Sequence, residues 1–301
     1  MSHYSKPLLL RKFIEFTLWP LQGLIVLILV SLIRLLPVAT TSALFGKIVS
    51  VIGPLTAHHK RARHHMRFAM PELSDQELDD NLAKMWNHFG RLVGEYPHIH
   101  KMGTSQYLTF HGLDHLRDAT DAGFVIGGHI GNWELSVMVP IMLEHHCGAI
   151  YRPLNNPFSN WVLDTRLKRG SIDLYAKGQD AAKGMLRTLK NKGWVYLLTD
   201  QKYRQGIDVP FFGHKASTPI GHIKIALKRK TPIHYMRVIR RAEECHYDVH
   251  ISAPHYIYTD GTVTDALIAQ HAEEMNLVFA DFIRQTPHQW LWPHRRWGKD
   301  V

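Results

Sequence analysis

A histidine and a glutamate stand five positions apart in Gly127-Gly128-His129-Ile130-Gly131-Asn132-Trp133-Glu134. An imidazole steadied by a carboxylate through one ring nitrogen keeps the other free to take a proton from a hydroxyl and return it to a leaving group. A tight strand-to-helix turn here predicts that pairing for His129 and Glu134. Asn132 is placed to cap the helix, which puts Glu134 in the first turn, where the helix dipole favours an ionised carboxylate. The hydroxyl must then be supplied. No Gly-x-Ser-x-Gly elbow occurs, and Cys147 and Cys245 sit in neither a reactive motif nor a paired spacing, so a substrate hydroxyl is expected rather than a protein nucleophile. The rival for His129 taken alone is a loop histidine that merely caps a helix.

The elements around this stretch must position it. Phe124-Val125-Ile126 reads as a strand and Leu135 to His146 as a helix. Short strands follow at Ala149 to Tyr151, Ile172 to Tyr175, Trp194 to Leu198, Pro232 to Ile239 and His246 to Ser252. They alternate with helices at Pro157 to Lys168, Gln179 to Asn191, Pro219 to Lys230 and Thr264 to Gln285. That alternation predicts an α/β fold, a mostly parallel central sheet flanked by helices. In such sheets ligands lie beyond the carboxyl ends of the strands, where His129, Arg152 and Asp200 fall. Before the sheet, Ser74-Asp75-Gln76-Glu77 reads as a capping box opening a helix with Leu78, Leu82, Met85, Trp86 and Phe89 along one face.

The N-terminal region has a different character. No charge interrupts Phe16 to Ile33, a length that just reaches a bilayer span, and it reads as an uncleaved anchor that either crosses the membrane or lies in its interface. His58 to Arg67 is the densest basic run and reads as a juxtamembrane patch for anionic headgroups, with a solvated helical face as its alternative. The whole chain of 301 residues has 36 Lys and Arg against 26 Asp and Glu, a formal charge of +10. Anionic partners are favoured: nucleic acid, anionic membrane, phosphorylated substrate or acidic carrier protein. Two cysteines make no disulfide framework and no zinc ligand set. P-loop, Gly-x-Gly-x-x-Gly, His-Glu-x-x-His and Cys-x-x-Cys motifs are absent, so neither a metal nor a cofactor is expected.

Five blocks in order, Gly128 to Glu134, Tyr151-Arg152-Pro153-Leu154-Asn155-Asn156-Pro157, Asp200-Gln201, Pro210-Phe211-Phe212-Gly213 and Gln289 to Trp297, resemble the bacterial lipid A biosynthesis acyltransferases, the late lauroyl and myristoyl transferases. The resemblance runs from the helix around Trp86 to the C-terminus. It implies a glycerolipid-acyltransferase-like α/β domain over residues 58–301 behind a membrane anchor and amphipathic segment over residues 1–57. The implied enzyme sits at the inner membrane with its active site facing the cytoplasm. It moves an acyl chain from acyl carrier protein to a hydroxyl of a lipid A precursor without an acyl-enzyme, and nucleic acid is not among its partners. By resemblance the catalytic residues are His129, Glu134, Arg166 and Asp200, with Arg169 as the fallback for Arg166.

Gly128, Asn132, Arg152, Arg169, Gln201, Phe211 and Phe212 are the expected substrate-binding residues. Glycine-loop amides are expected to meet the carbonyl oxygen. Some alternatives stay open. Arg152 and Arg166 either grip a phosphate or pack on the surface, and Asp200 either serves the site or caps a turn. Phe211 and Phe212 either line a chain-binding wall or belong to the core. Trp290, Trp292 and Trp297 with Arg295 and Arg296 form either an interfacial cluster or a packed cap. The rival functions are an acyltransferase using acyl-CoA on another glycolipid or phospholipid, and a non-catalytic basic protein tethered to the membrane.

Overall fold

In the computed structural model the described residues are 10, 12, 14–151, 156, 172–176, 178–242 and 244–298. The chain opens with a π-helical turn, Ile14–Leu18, that runs into α1, Trp19–Arg34, and then α2, Val38–Ile52. Ile14–Arg34 and Val38–Leu55 are each long and apolar enough to cross a membrane. Leu21, Leu24, Ile25, Leu27, Ile28, Leu29 and Leu32 of α1 are all exposed. Such a continuous apolar surface calls for lipid or protein cover. α2 is more enclosed, because it lies along α4, Asp75–Glu95.

Between them α3, Ala57–Ala69, carries the basic run. Much of its charge is already engaged: Arg63 pairs with Asp75 and Asp79, Arg67 with Asp75, and His65 is buried against the Trp292 carbonyl. Only part of the run, including Lys60 and His64, remains exposed. α4 begins at the expected capping box, with Ser74 accepting from the Glu77 amide while Glu77 accepts from the Ser74 amide. Its buried face includes Leu78, Leu82, Met85 and Trp86.

Among the described residues nine strands follow: β1 Leu108–His111, β2 Phe124–Gly127, β3 Cys147–Tyr151, β4 Ile172–Ala176, β5 Trp194–Leu198, β6 Ile207–Phe211, β7 His214–Thr218, β8 Ile233–Arg240 and β9 Tyr247–Ile251. Seven form one sheet in the order β1-β9-β8-β2-β5-β3-β4. Within it only β8 and β9 pair antiparallel. The expected mostly parallel α/β sheet is therefore present. α5, Gln179–Lys190, α6, Gly221–Arg229, and α7, Asp265–Gln285, flank it, α7 being capped by the Thr264 hydroxyl on the Leu267 amide.

β2 is buried throughout as Phe124-Val125-Ile126-Gly127, the continuous apolar run of a parallel strand covered on both faces. Phe124 and Ile126 face one core with α7 and the C-terminal tryptophans, while Val125 faces the other with Tyr196 and Tyr247.

Three features depart from the sequence reading. After β2 the chain forms a 3-10 segment, Trp133–Val137, and a short helix, Met138–Met142, rather than one helix to His146. β1 and the β6–β7 hairpin were not foreseen. Pro210-Phe211-Phe212-Gly213 makes that hairpin's turn, with φ of 53° at Phe212 and 77° at Gly213, the pair of positive values that a tight hairpin needs. The helix expected over Pro157 to Lys168 lies outside the described residues.

Candidate active site

β2 and β5 are neighbours in parallel register, Gly127 opposite Leu198, so their carboxyl ends release His129 and Asp200 side by side. His129 Nδ1 lies 2.8 Å from Asp200 Oδ1, and the His129 amide donates to Asp200 Oδ2 at 2.8 Å. The Trp290 indole donates to the same Oδ2 at 2.7 Å. Burial by itself would raise the Asp200 pKa, but the facing His129 and these three hydrogen bonds outweigh it and hold the carboxyl down at about 2. An ionised Asp200 places the histidine's proton on Nδ1. Nε2 is then an acceptor, and the Gln201 amide sits 3.1 Å from it.

The carboxylate on the imidazole is thus Asp200, whereas Glu134 was expected there. In the 3-10 segment Glu134 accepts from the Trp133 indole at 3.1 Å and lines the same cavity as His129. The reason is the turn: without a full α-helix after Asn132, the first-turn position does not fold back onto Nδ1. Asn132 holds the N-cap position, but of the 3-10 segment and without its side chain. Its side chain makes no capping bond; it is buried, with its amide donating to Glu95 Oε2 at 3.0 Å and to the Tyr247 hydroxyl at 3.2 Å. It therefore positions the loop and is not among the residues that line the cavity.

The loop is held from behind. Glu95 is fully buried and receives Arg240 through both guanidinium nitrogens, at 2.6 and 2.9 Å, and Ser42 at 2.7 Å. Arg240 Nε donates to His88 Nδ1 at 3.2 Å, and His88 Nε2 in turn donates to the Gly131 carbonyl at 3.2 Å. Removing one partner of such a buried ion pair strands the other, which is far costlier than the pair's net worth.

Gly131 has φ of +59°, and a Cβ there would sit 1.8 Å from the Val238 carbonyl oxygen. Gly131→Ala is expected to destabilise the protein by several kcal/mol, since strain and backbone displacement add. A thermal melt in detergent checks this, and a melting temperature equal to that of the parent would contradict the tight fit.

The amides of His129, Gly131 and Asn132 already donate to Asp200, the Gln289 carbonyl and the Val238 carbonyl. Those three are consequently engaged within the fold, which narrows the glycine-loop amides that could meet a carbonyl oxygen. Gly128 does line the cavity, and a Cβ on it would crowd the Asp200 carboxyl at 3.2 Å.

From His129 a cavity of about 220 Å³ runs between the sheet and the following turn. Val125, Val137, Ile150, Leu174, Tyr196 and Met236 give it apolar walls, while His129, Glu134, Ser136 and Arg237 are among its polar lining residues.

The structure brings together His129, Asp200, Gln201, Glu134 and Gly128. It does not bring Phe211 and Phe212 into the cavity; both are buried in the aromatic packing of Trp290, Trp292 and Trp297 because the hairpin turns them inward. The C-terminal block is likewise a packed cap rather than an interfacial cluster: Trp292 and Arg296 have no exposed surface, and Arg296 donates to the Ser217 carbonyl and the Thr218 hydroxyl. Arg152, Arg166 and Arg169 lie outside the described residues.

Trp290 is the residue whose role the sequence did not disclose, for its link to Asp200 spans 90 positions. Cys147 is buried with its thiol pushed up to about 12, chiefly by desolvation, so it carries no thiolate near neutrality. It should resist alkylation at pH 8 in the native protein and react once unfolded; rapid native labelling would reopen a protein nucleophile.

The sequence model of the family described as bacterial lipid A biosynthesis acyltransferase matches residues 10–299. Among curated proteins, the lipid A biosynthesis palmitoleoyltransferase of Escherichia coli strain K12 is 26% identical over 244 residues, 78% of this chain and 77% of that one. The lipid A biosynthesis lauroyltransferase of the same organism is 25% identical over 249 residues, 79% and 78% of the two chains. Among solved structures, the 1-acyl-sn-glycerophosphate acyltransferase PlsC of Thermotoga maritima aligns with a TM-score of 0.38 and 11% identity over 86% of this chain and 97% of its own. With a match along nearly its whole length, the chain belongs to the bacterial lipid A biosynthesis acyltransferase family.

Proposed function

We propose that this acyltransferase takes its fatty acyl group from an acyl carrier protein thioester and places it on a hydroxyl of a lipid A precursor, at the cytoplasmic face of the inner membrane. The observation that carries the reading is the His129–Asp200 pair at the polar end of an apolar-walled cavity. His129 Nε2 removes the acceptor's hydroxyl proton as the oxygen attacks the thioester carbonyl. Asp200 stabilises the imidazolium that forms, the carbon–sulfur bond breaks, and the imidazolium returns the proton to the departing thiolate. Gln201, whose amide marks the Nε2 lone pair, yields that place to the acceptor hydroxyl. The apolar walls accept the acyl chain, and Glu134 stands beside His129 as an acceptor-facing carboxylate. Arg152 and Arg166 enter as grips for an acceptor phosphate, since a planar guanidinium suits bidentate binding, and Arg166, with Arg169 as its fallback, is the essential arginine that the family resemblance implies. The net charge of +10 suits an acidic carrier protein as donor.

The test offers membranes containing the protein a lipid A precursor with either acyl carrier protein thioesters or acyl-CoA. A mass gain of one acyl chain from the carrier thioester is expected. Transfer from acyl-CoA alone would overturn the donor, and transfer only to a phospholipid would overturn the acceptor.

The anchor is tested separately. Deleting Met1 to Leu36 removes the exposed apolar face of α1, and the truncated protein should leave the membrane fraction or aggregate. Unchanged membrane extraction would refute the anchor.

A further inference from the structure

Behind the His129 loop lies a second cavity, of about 230 Å³, that shares no lining residue with the apolar cleft. Lys84, Asn87, His88 and Arg91 of α4, Arg240 and Ala242 after β8, and His288 and Gln289 surround it. Among the described lining residues there are three cations, two histidines and no carboxylate. Arg91 and Arg240 are nearly buried, whereas Lys84 is exposed at the rim. The guanidinium of Arg240 is committed to Glu95 within the fold. The remaining positive character is felt by the histidines: burial first, then Arg240 and Arg91, push His88 well below its ordinary pKa, and burial with Lys84 lowers His288.

The location narrows the ligand. Arg91 packs on α2, where a Cβ at Gly46 would come within 3.0 Å of its Cγ. The same helix presents Leu44, Ile48, Val51 and Ile52 outward. The cationic cavity therefore lies next to a helix with an outward apolar face, the setting in which basic residues attract the phosphate groups of a bilayer.

We propose that this cavity is a binding site for a phosphate-bearing anion, separate from the catalytic cleft. The ammonium of Lys84 offers donors to phosphate oxygens at the rim, while Arg91, whose guanidinium already donates to Asn87 and Ser42, and Arg240 contribute positive charge. Its floor is the back of the catalytic loop: His88 bonds the Gly131 carbonyl, and the Gln289 carbonyl receives the Gly131 amide. An anion held there braces the turn that carries His129.

The test titrates the full-length protein in neutral detergent with inorganic phosphate, with a short-chain phosphatidylglycerol, and with the zwitterionic short-chain phosphatidylcholine. Isothermal calorimetry gives the affinities. Saturable binding of phosphate or phosphatidylglycerol is expected, weakened by on the order of tenfold in Lys84→Glu, a charge reversal at the rim. Lys228→Glu, a reversal on exposed α6, and His129→Ala should both bind like the parent. Phosphatidylglycerol alone binding identifies a lipid headgroup as the source; phosphate binding as well as phosphatidylglycerol identifies the free anion as sufficient. The proposal is overturned if neither anion saturates, if phosphatidylcholine binds equally, or if Lys84→Glu and Lys228→Glu behave alike. Because His129→Ala is expected to bind, this outcome is independent of whether the acyl-transfer mechanism holds.

Discussion

Replacing His129 by alanine should lower turnover by about 10²- to 10⁴-fold while leaving the fold intact, since the remaining carboxylate in the cleft, Glu134, is a far weaker base than an imidazole held by Asp200. The side chain is partly exposed in the cleft and its loss leaves no buried ion stranded except Asp200, which keeps the Trp290 indole and the His129 amide as donors. Those two bonds predict a melting temperature close to that of the parent. The measurement is acyl transfer in membranes alongside a thermal melt in detergent. Parental turnover in the variant would remove His129 from the chemistry altogether.

Asp200→Asn should cost on the order of 10²- to 10³-fold, through the histidine's tautomer rather than through any contact with substrate. Asp200 Oδ1 faces His129 Nδ1 and Oδ2 takes two donors, the His129 amide and the Trp290 indole. An asparagine has one oxygen to offer. If its amide nitrogen faces Nδ1, the ring must carry its proton on Nε2 and cannot act as the base; if it turns the other way, it meets two N–H groups and the loop shifts. Glu134→Gln should be the milder change, because the His129–Asp200 pair survives it. A larger loss in Glu134→Gln than in Asp200→Asn would return the orienting role to Glu134.

Acid should expose the same carboxylate. Its folded pKa of about 2 lies below the ordinary value near 3.9. The sign follows: Asp200 contributes stability above the unfolded pKa, and that contribution is lost as pH falls from about 4 towards 2. A pH series of melts should show a steeper acid limb in the parent than in Asp200→Asn, the limb from other depressed carboxylates such as Asp248 being common to both.

Much of this protein was legible without coordinates, and for identifiable reasons. Strand β5 is apolar at every position and β2 nearly so, and Ser74 and Thr264 are side-chain caps whose partners lie three residues on. Such signals are local, so periodicity and capping chemistry report them directly. His129 stands out by its glycine loop, whereas the need for Gly131 to lack a Cβ appears only once the loop lies against β8.

What the sequence could not decide was which carboxylate serves the histidine. Glu134 is five residues away in the chain, but Asp200 is adjacent in space because β2 and β5 are hydrogen-bonded neighbours in parallel register. Strand order is a property of the whole sheet and of the crossovers that build it, and no local pattern encodes it. The same holds for Asn132, drawn inward by Glu95 and Tyr247 rather than capping a helix, and for the C-terminal tryptophans, packed inward with Phe211 and Phe212 rather than facing lipid. Residue types declared the chemistry available to this chain; tertiary packing, by choosing which buried polar groups satisfy one another, assigned the partners.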